Sequence, residues 1–352
     1  MVESKPPTVQ IPKARRALLA YYQRHKRDLP WRRTRDPYHI WVSEIMLQQT
    51  QVQTVIPRYH QFLERFPNLK SLASASETEV CEAWAGLGYY RRARHLHAAA
   101  QRVQSEQGGQ LPSNVADLLK LPGIGRYTAG AIASIAYEQP APILDGNVMR
   151  VLSRVYAIEG DCAAVSVQKE LWWLAGKWAD GAQPGDLNQA LMELGATVCT
   201  PYKPGCKACP LKGHCEAFAL KTPEKFPKKT APVKRKNLPI AFAWLQTPKG
   251  VWLRRRDLLG LWPGLWELPS AMGVGAKGRL AGELGVPLGR VVMHIEHVLT
   301  HRNVRAAIYC PRQLPRWRRR EDLQIFAQPL QAPLSVLAKK AIIAMGPHGL
   351  AG

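Results

Sequence analysis

The sequence predicts a mostly α-helical N-terminal domain followed by a smaller α+β domain, and three observations carry that expectation. Apolar residues recur at three- to four-residue spacing almost throughout 11–220, the period of helices that bury one face. The stretch KTPEKFPKKTAPVKRK, 221–236, then breaks the pattern with seven basic residues, three prolines and one acid. Such a composition cannot build a core and reads as a linker. Beyond it, over 237–347, β-branched and aromatic runs replace the helical period. A length of 352 residues suits two cores better than one.

In chain order, the helical spacing covers 14–26, 55–66, 77–85, 93–104, 114–120, 126–137, 147–157, 166–179 and 186–198, with Pro and Gly at the joins. Asp36-Pro37 is a helix start, the Asp as cap and the Pro at the first helical position. The helix it opens runs into WVSEIMLQQT, 41–50, where Glu44 stands among Trp41, Val42, Ile45, Met46 and Leu47. Two readings compete: a surface acid on an amphipathic helix, or a carboxyl kept protonated in an apolar pocket. After the linker, IAFAWLQ, GVWLRRR, LWELP, VVMHIEHV and NVRAAIY read as strands and SVLAKKAIIAM as a closing helix. There is no internal repeat.

Hydrophobic residues make up 46% and charged residues 21% of the chain, ordinary values for a globular protein. No apolar run approaches a membrane span, and the N-terminus lacks the apolar core of a secretory signal, so the cytoplasm is expected. Forty-nine Lys and Arg against 26 Asp and Glu leave a net charge of +23. That excess favours a polyanion, nucleic acid first. An anionic membrane is the rival, but no basic amphipathic helix stands out.

Of seven cysteines, Cys81, Cys162 and Cys310 are scattered. The other four fall in CTPYKPGCKACPLKGHC, where Cys199, Cys206, Cys209 and Cys215 are spaced x6, x2 and x5. Zinc ribbons prefer two CxxC knuckles across a longer loop. One CxxC flanked by single cysteines favours a cubane iron–sulfur cluster, with zinc still open. Lys203, Lys207, Lys212 and His214 add positive charge to the same loop.

LLKLPGIGRYTAGAIASIAY, 118–137, reads as helix–hairpin–helix. Gly123 and Gly125 permit the tight turn and bare backbone N–H groups at a helix N-terminus, a nest suited to phosphate. Farther on, ILDGNVMRVLSR places Asp145 ahead of another helix, where a plain N-cap is the simplest reading.

The order of hairpin, LDGNV and C-x6-C-x2-C-x5-C resembles the endonuclease III superfamily of base-excision DNA glycosylases. Within it, LPWRRTRDPYHIWVSEIMLQQTQV, AWAGLGYYRRARHLH, LPGIGRYTAG, ILDGNVMRVLSR and LNQALMELGATVC closely resemble the adenine DNA glycosylase (MutY) family. GLWPGLWELPS is similar to that family's appended Nudix-like domain. The resemblance implies a helical glycosylase domain over 1–220 with its iron–sulfur loop at 199–215, the linker at 221–236, and a Nudix-like lesion-recognition domain at 237–347. It implies one 4Fe-4S cluster on Cys199, Cys206, Cys209 and Cys215.

The resemblance also implies roles. Glu44 would protonate adenine, Asp145 would face the sugar cation with Asn147 nearby, and Tyr127 would hydrogen-bond in the same site. Gln48 and Tyr89 would wedge into the base stack, and Thr50 and Leu87 would touch the orphan base, with Gln49 in the same QQT segment. Arg32 and Gln189 would lie against the extruded adenine. Lyases of the superfamily carry a Lys where this chain has Tyr127, so no Schiff base is expected. In GRLAGELGV only Glu283 remains of a metal-holding Nudix box, which implies a binding module. Its recognition loop, Phe-Ser-His in the family, reads Leu299-Thr300-His301 here, making Thr300 and His301 the candidate lesion contacts.

The expected partner is double-stranded DNA with A opposite 8-oxoguanine or G, bound by a monomer in a bacterial cytoplasm at the nucleoid, with no membrane association. Two rivals remain: a pyrimidine-lesion or mismatch thymine glycosylase, and a non-catalytic iron–sulfur DNA-binding protein.

Overall fold

A computed structural model describes residues 9–228, 235–257, 260–299, 301–315 and 321–346. They fall into two compact units, one holding residues up to 83 and 92–231, the other 84–91 and 232 onward.

The first unit is helical: α1 Ile11–His25, α2 Pro37–Leu47, α3 Val52–Arg65, α4 Leu69–Ser74, α5 Glu77–Ala83, α6 Arg91–Glu106, α7 Val115–Leu118, α8 Arg126–Tyr137, α9 Gly146–Val155, α10 Val165–Ala179, α11 Pro184–Thr197 and α12 Glu216–Ala219. Asp36 caps α2, accepting from the N–H groups of Tyr38 and His39. Two helices are unforeseen, α4 and α12, whose six and four residues are too few to display a period. α4 starts instead from a reciprocal capping box between Asn68 and Ser71. α11 packs on α8, α9 and α1, and α2 packs on α8. Leu18, Ile143, Leu152, Leu171, Trp178 and Leu187 are among the buried residues of the resulting core. Close packing at one point requires glycine: a Cβ on Gly195 of α11 would fall 2.6 Å from the Asn147 Cβ.

Part of the stretch read as linker is held on this unit. Pro223–Lys225 forms a 3-10 turn, and Asp161 and Lys228 form a parallel bridge. The buried Arg154 donates from Nε to the Phe226 carbonyl at 2.9 Å. Composition alone cannot register a backbone carbonyl captured by a distant guanidinium.

The second unit contains β1 Lys236–Ala243, β2 Gln246–Thr247, β3 Gly250–Arg255, β4 Trp266–Glu267, β5 Ser270–Met272, α13 Ala276–Leu284, β6 Leu288–Val298, β7 Arg302–Pro311, β8 Leu323–Phe326 and α14 Val336–Met345. One sheet has the order β5-β1-β7-β6, with β1 and β7 parallel and the other pairs antiparallel. In the other, β3 pairs with β2, β4 and β8. Alternation along β1 explains its two-sided burial. Ile240 and Phe242 join one core with Leu337 and Ile342 of α14, whereas Ala241 and Ala243 meet Leu280 and Leu284 of α13. β5, β8 and α13 were not foreseen, the strands because three or four residues carry no clear alternation.

Candidate active site

α2 has no solvent face at Glu44. Ile40 through Met46 are all buried, and Glu44 is 4% exposed. The surface reading therefore fails. Tyr127 Oη, from α8, donates to Glu44 Oε2 at 2.7 Å. Burial raises the Glu44 pKa to about 7 against the Tyr127 hydrogen bond, which lowers it, while the Asp145 charge raises it and the Arg32 charge lowers it. Near neutral pH the protonated form of this carboxyl is thus well populated. Tyr127 Oη also lies 3.2 Å from Met192 Sδ of α11.

Asp145 is indeed the N-cap of α9, but the cap does not exhaust it. Its Oδ1 accepts from the N–H groups of Asn147 and Val148 at 3.0 and 2.7 Å, and Oδ2 accepts from Asn147 Nδ2 at 2.9 Å. Burial raises its pKa, and the hydrogen bonds from Val148 and Asn147 restrain the rise. Arg150 Nη2 in turn donates to Asn147 Oδ1 at 2.8 Å and to the Gly195 carbonyl at 2.7 Å, and its Nε to the Cys199 carbonyl at 2.7 Å.

Both carboxylates line one cleft of about 780 Å³. It brings together Arg32, Gln48, Gln49, Thr50, Gly123, Gly125, Tyr127, Asn147 and Gln189, residues drawn from well-separated parts of the sequence. Gln48 Nε2 donates to Thr128 Oγ1 at 3.3 Å. Leu87 and Tyr89 are not among the lining residues. Leu87 is buried, and Tyr89 is 57% exposed with a left-handed backbone, φ 48°. His301 is exposed next to β7, and its carbonyl accepts from Lys236 N at 3.1 Å. Thr300 lies outside the described residues.

Sequence reasoning missed Glu193, which lines the same cleft. Arg27 Nε and Nη2 donate to its two oxygens at 2.8 Å each, and Arg32 Nη2 donates to Oε2 at 2.8 Å. Burial alone would raise its pKa, but the bonds from Arg27 and Arg32 override that and hold it at about 2. A signal that could have found it is its place one turn after Gln189 in LNQALMELG, an acid in the apolar run ALMELGA.

At the hairpin, Gly123 has φ +75°, and a Cβ there would fall 2.5 Å from the His95 Cβ. Gly125 is the N-cap of α8 and supplies no side-chain acceptor, which leaves the first-turn N–H groups for an external anion.

Cys199, Cys206, Cys209 and Cys215 line a second, smaller cavity with Arg154 and Lys212. All four are free thiols. Burial pushes Cys209 up to about 12, and the charges of neighbouring Cys199, Cys215 and Cys206 add to the rise. Arg154 Nη1 donates to Cys199 Sγ at 3.3 Å and to the Thr200 carbonyl at 2.7 Å. No group of three or more His, Cys, Asp or Glu side chains among the described residues could hold a metal ion. In the second unit Glu283 pairs with Arg254.

No helix is long and apolar enough to cross a membrane among the described residues.

Residues 42–177 match the family model described as HhH-GPD superfamily base excision DNA repair protein, and 241–342 match a NUDIX domain. The human adenine DNA glycosylase is 53% identical over 212 residues, 58% of this chain but 39% of the human protein, so the chain spans about two fifths of that relative. The adenine DNA glycosylase of Buchnera aphidicola (subsp. Acyrthosiphon pisum) is 38% identical over 253 residues, 71% of each chain. A solved thermostable thymine-DNA glycosylase superimposes with a TM-score of 0.53 at 30% identity, covering 59% of this chain and 98% of that one. A helical unit with Glu44 and Asp145 in one cleft, followed by a NUDIX-type sheet unit, and similarity over 71% of a curated relative lead to one assignment: the chain belongs to the adenine DNA glycosylase family.

Proposed function

We propose that the protein excises adenine mispaired with 8-oxoguanine or G in duplex DNA, by acid-assisted hydrolysis of the N-glycosidic bond. The observation that carries this reading is Glu44: buried, with a pKa near 7, and in one cleft with Asp145. Adenine leaves readily only when its ring is protonated, and a donor must still hold its proton near neutral pH. Glu44 delivers that proton to N7. Asp145, its orientation set by Asn147 and the α9 N–H groups, stabilises the oxocarbenium-like sugar and directs water to it. Tyr127 orients Glu44 and has no amine, so the enzyme is monofunctional.

The base reaches the cleft by leaving the stack, at a cost of a few kcal/mol. Gln48, Gln49, Thr50, Leu87 and Tyr89 serve the opened duplex. Arg32, held by Glu193, and Gln189 receive the adenine edge. The Gly123–Gly125 hairpin takes a phosphate, and the charge of +23 supplies general affinity for DNA.

The cysteine cavity is read as the seat of one 4Fe-4S cluster: four free thiols line it, the donor set that such a cluster takes. Cys199, Cys206, Cys209 and Cys215 would hold it, and the bound cluster would tie the basic loop together. The second unit is read as a lesion-binding module acting through Thr300 and His301, since Glu283 is occupied by Arg254. A monomer in the cytoplasm, at the nucleoid, is consistent with this function.

The test is release of free adenine from an 8-oxoguanine·A duplex by wild type and Glu44→Gln side by side. Wild type releases adenine and the variant binds DNA without doing so; near-normal turnover by the variant would refute the assignment. A second reading, thymine excision from G·T, is favoured by the solved thymine-DNA glycosylase and is separated by a G·T duplex in the same assay.

A further inference from the structure

The end of α2 is closed in an unusual way. A helix C-terminus leaves its last carbonyls without intrahelical donors, and a left-handed glycine often completes the turn. α2 has no such glycine and no basic residue in its last turn. Its carbonyls are served from α6 instead. Arg92 Nη1 donates to the carbonyls of Ile45, Met46 and Gln48 at 2.7, 3.0 and 2.6 Å, and Nη2 donates to Thr50 Oγ1 at 3.1 Å. The Leu47 carbonyl takes the Thr50 N–H at 3.3 Å. Between these anchors Gln49 is left-handed, φ 56°, a conformation that residues with a Cβ adopt only when their surroundings enforce it.

One planar guanidinium therefore spans two structures: the helix that carries Glu44, and the loop of Gln48, Gln49 and Thr50 that lines the cleft. Its charge also complements the negative end of α2. An ammonium would keep that charge but cannot reproduce a fan of four bonds from two nitrogens.

We propose that Arg92 is a positioning residue for base extrusion: it holds the Gln48–Thr50 loop in the shape that keeps the duplex open, and it touches no substrate itself. The proposal rests on the glycosylase reading above. It separates opening of the duplex from bond cleavage, because the Glu44 carboxyl takes its hydrogen bond from Tyr127 of α8 and Arg92 bonds backbone and Thr50 only.

The experiment uses the full chain and a duplex with 2-aminopurine opposite 8-oxoguanine, whose fluorescence rises when the base unstacks. Binding is followed by anisotropy, extrusion by fluorescence amplitude, and folding by circular dichroism and melting. Arg92→Lys is expected to bind the duplex within about threefold of wild type, since phosphate contacts dominate affinity. Its extrusion amplitude, and its single-turnover adenine release from a matching 8-oxoguanine·A duplex, should both fall about tenfold, the effect of losing charge-assisted hydrogen bonds. Wild-type amplitude in a folded Arg92→Lys would overturn the proposal, as would parallel losses of binding, amplitude and melting temperature, which mark mere structural support. If Arg92→Lys does not fold, Thr50→Val decides, because it removes the Nη2 acceptor together with only the long 3.4 Å bond from Thr50 Oγ1 to the Gln48 carbonyl: a reduced amplitude at unchanged binding supports the proposal and an unchanged amplitude overturns it. Wild-type protein that releases no adenine from any duplex would overturn the glycosylase reading instead.

Discussion

Replacing Glu44 with Gln should make the protein inactive and more stable at the same time, with the gain depending on pH. Burial raises the Glu44 pKa from 4.5 to about 7. Below pH 4.5 the carboxyl is neutral in both the folded and unfolded chains, so it takes nothing from stability. As pH rises past 4.5 the unfolded chain ionises freely while the folded one resists, and stability falls until the folded group also ionises near 7. A shift of that size corresponds to about 3 kcal/mol at pH 8. Glutamine is neutral throughout, nearly isosteric, and still offers an oxygen to Tyr127. The assay is denaturant unfolding of the full-length wild type and Glu44→Gln at pH 4.5, 6 and 8, followed by tryptophan fluorescence. The stability difference should be near zero at the lowest pH and grow to about 3 kcal/mol in favour of the variant at the highest. A difference that does not change with pH would refute the buried-acid argument, whatever the variant's activity.

Three other outcomes follow from the same site. Tyr127→Phe removes the hydrogen bond that lowers the Glu44 pKa, so single-turnover adenine release should drop about tenfold. Its decline with rising pH should also move to a higher pH than in wild type. Glu193→Gln leaves Arg27 and Arg32 without a charged partner and should destabilise the fold by about 3 kcal/mol. The Glu193 contribution in wild type, set by a depressed pKa, is present above pH 4.5 and is lost as pH falls toward about 2, which acid unfolding of both proteins would reveal. Cys209→Ser should lower bound iron and visible absorption in the purified protein, and retention of full iron content would argue against its place in the cluster.

Periodicity and spacing make much of this molecule legible from its sequence. The segment 126–137 is read to the residue because its apolar face repeats over three turns, and Asp36-Pro37 marks the start of α2 by local chemistry alone. The four cysteines and the LPGIG hairpin are likewise visible, because each rests on residue type at a fixed interval, whereas Glu44 and Asp145 are marked only by resemblance to the family's motifs. What required the tertiary structure is what depends on approach between distant segments. Only packing decides that Glu44 has no solvent face and that Asp145 is cap and cleft wall together. Glu193 between Arg27 and Arg32, and Arg92 closing the end of α2, escape any local pattern, since their partners come from other elements of the fold. A pKa is a property of that same kind. The chain placed an acid among apolar neighbours, but desolvation, Tyr127, Asp145 and Arg32 act on it through space, and only the folded cleft sums them.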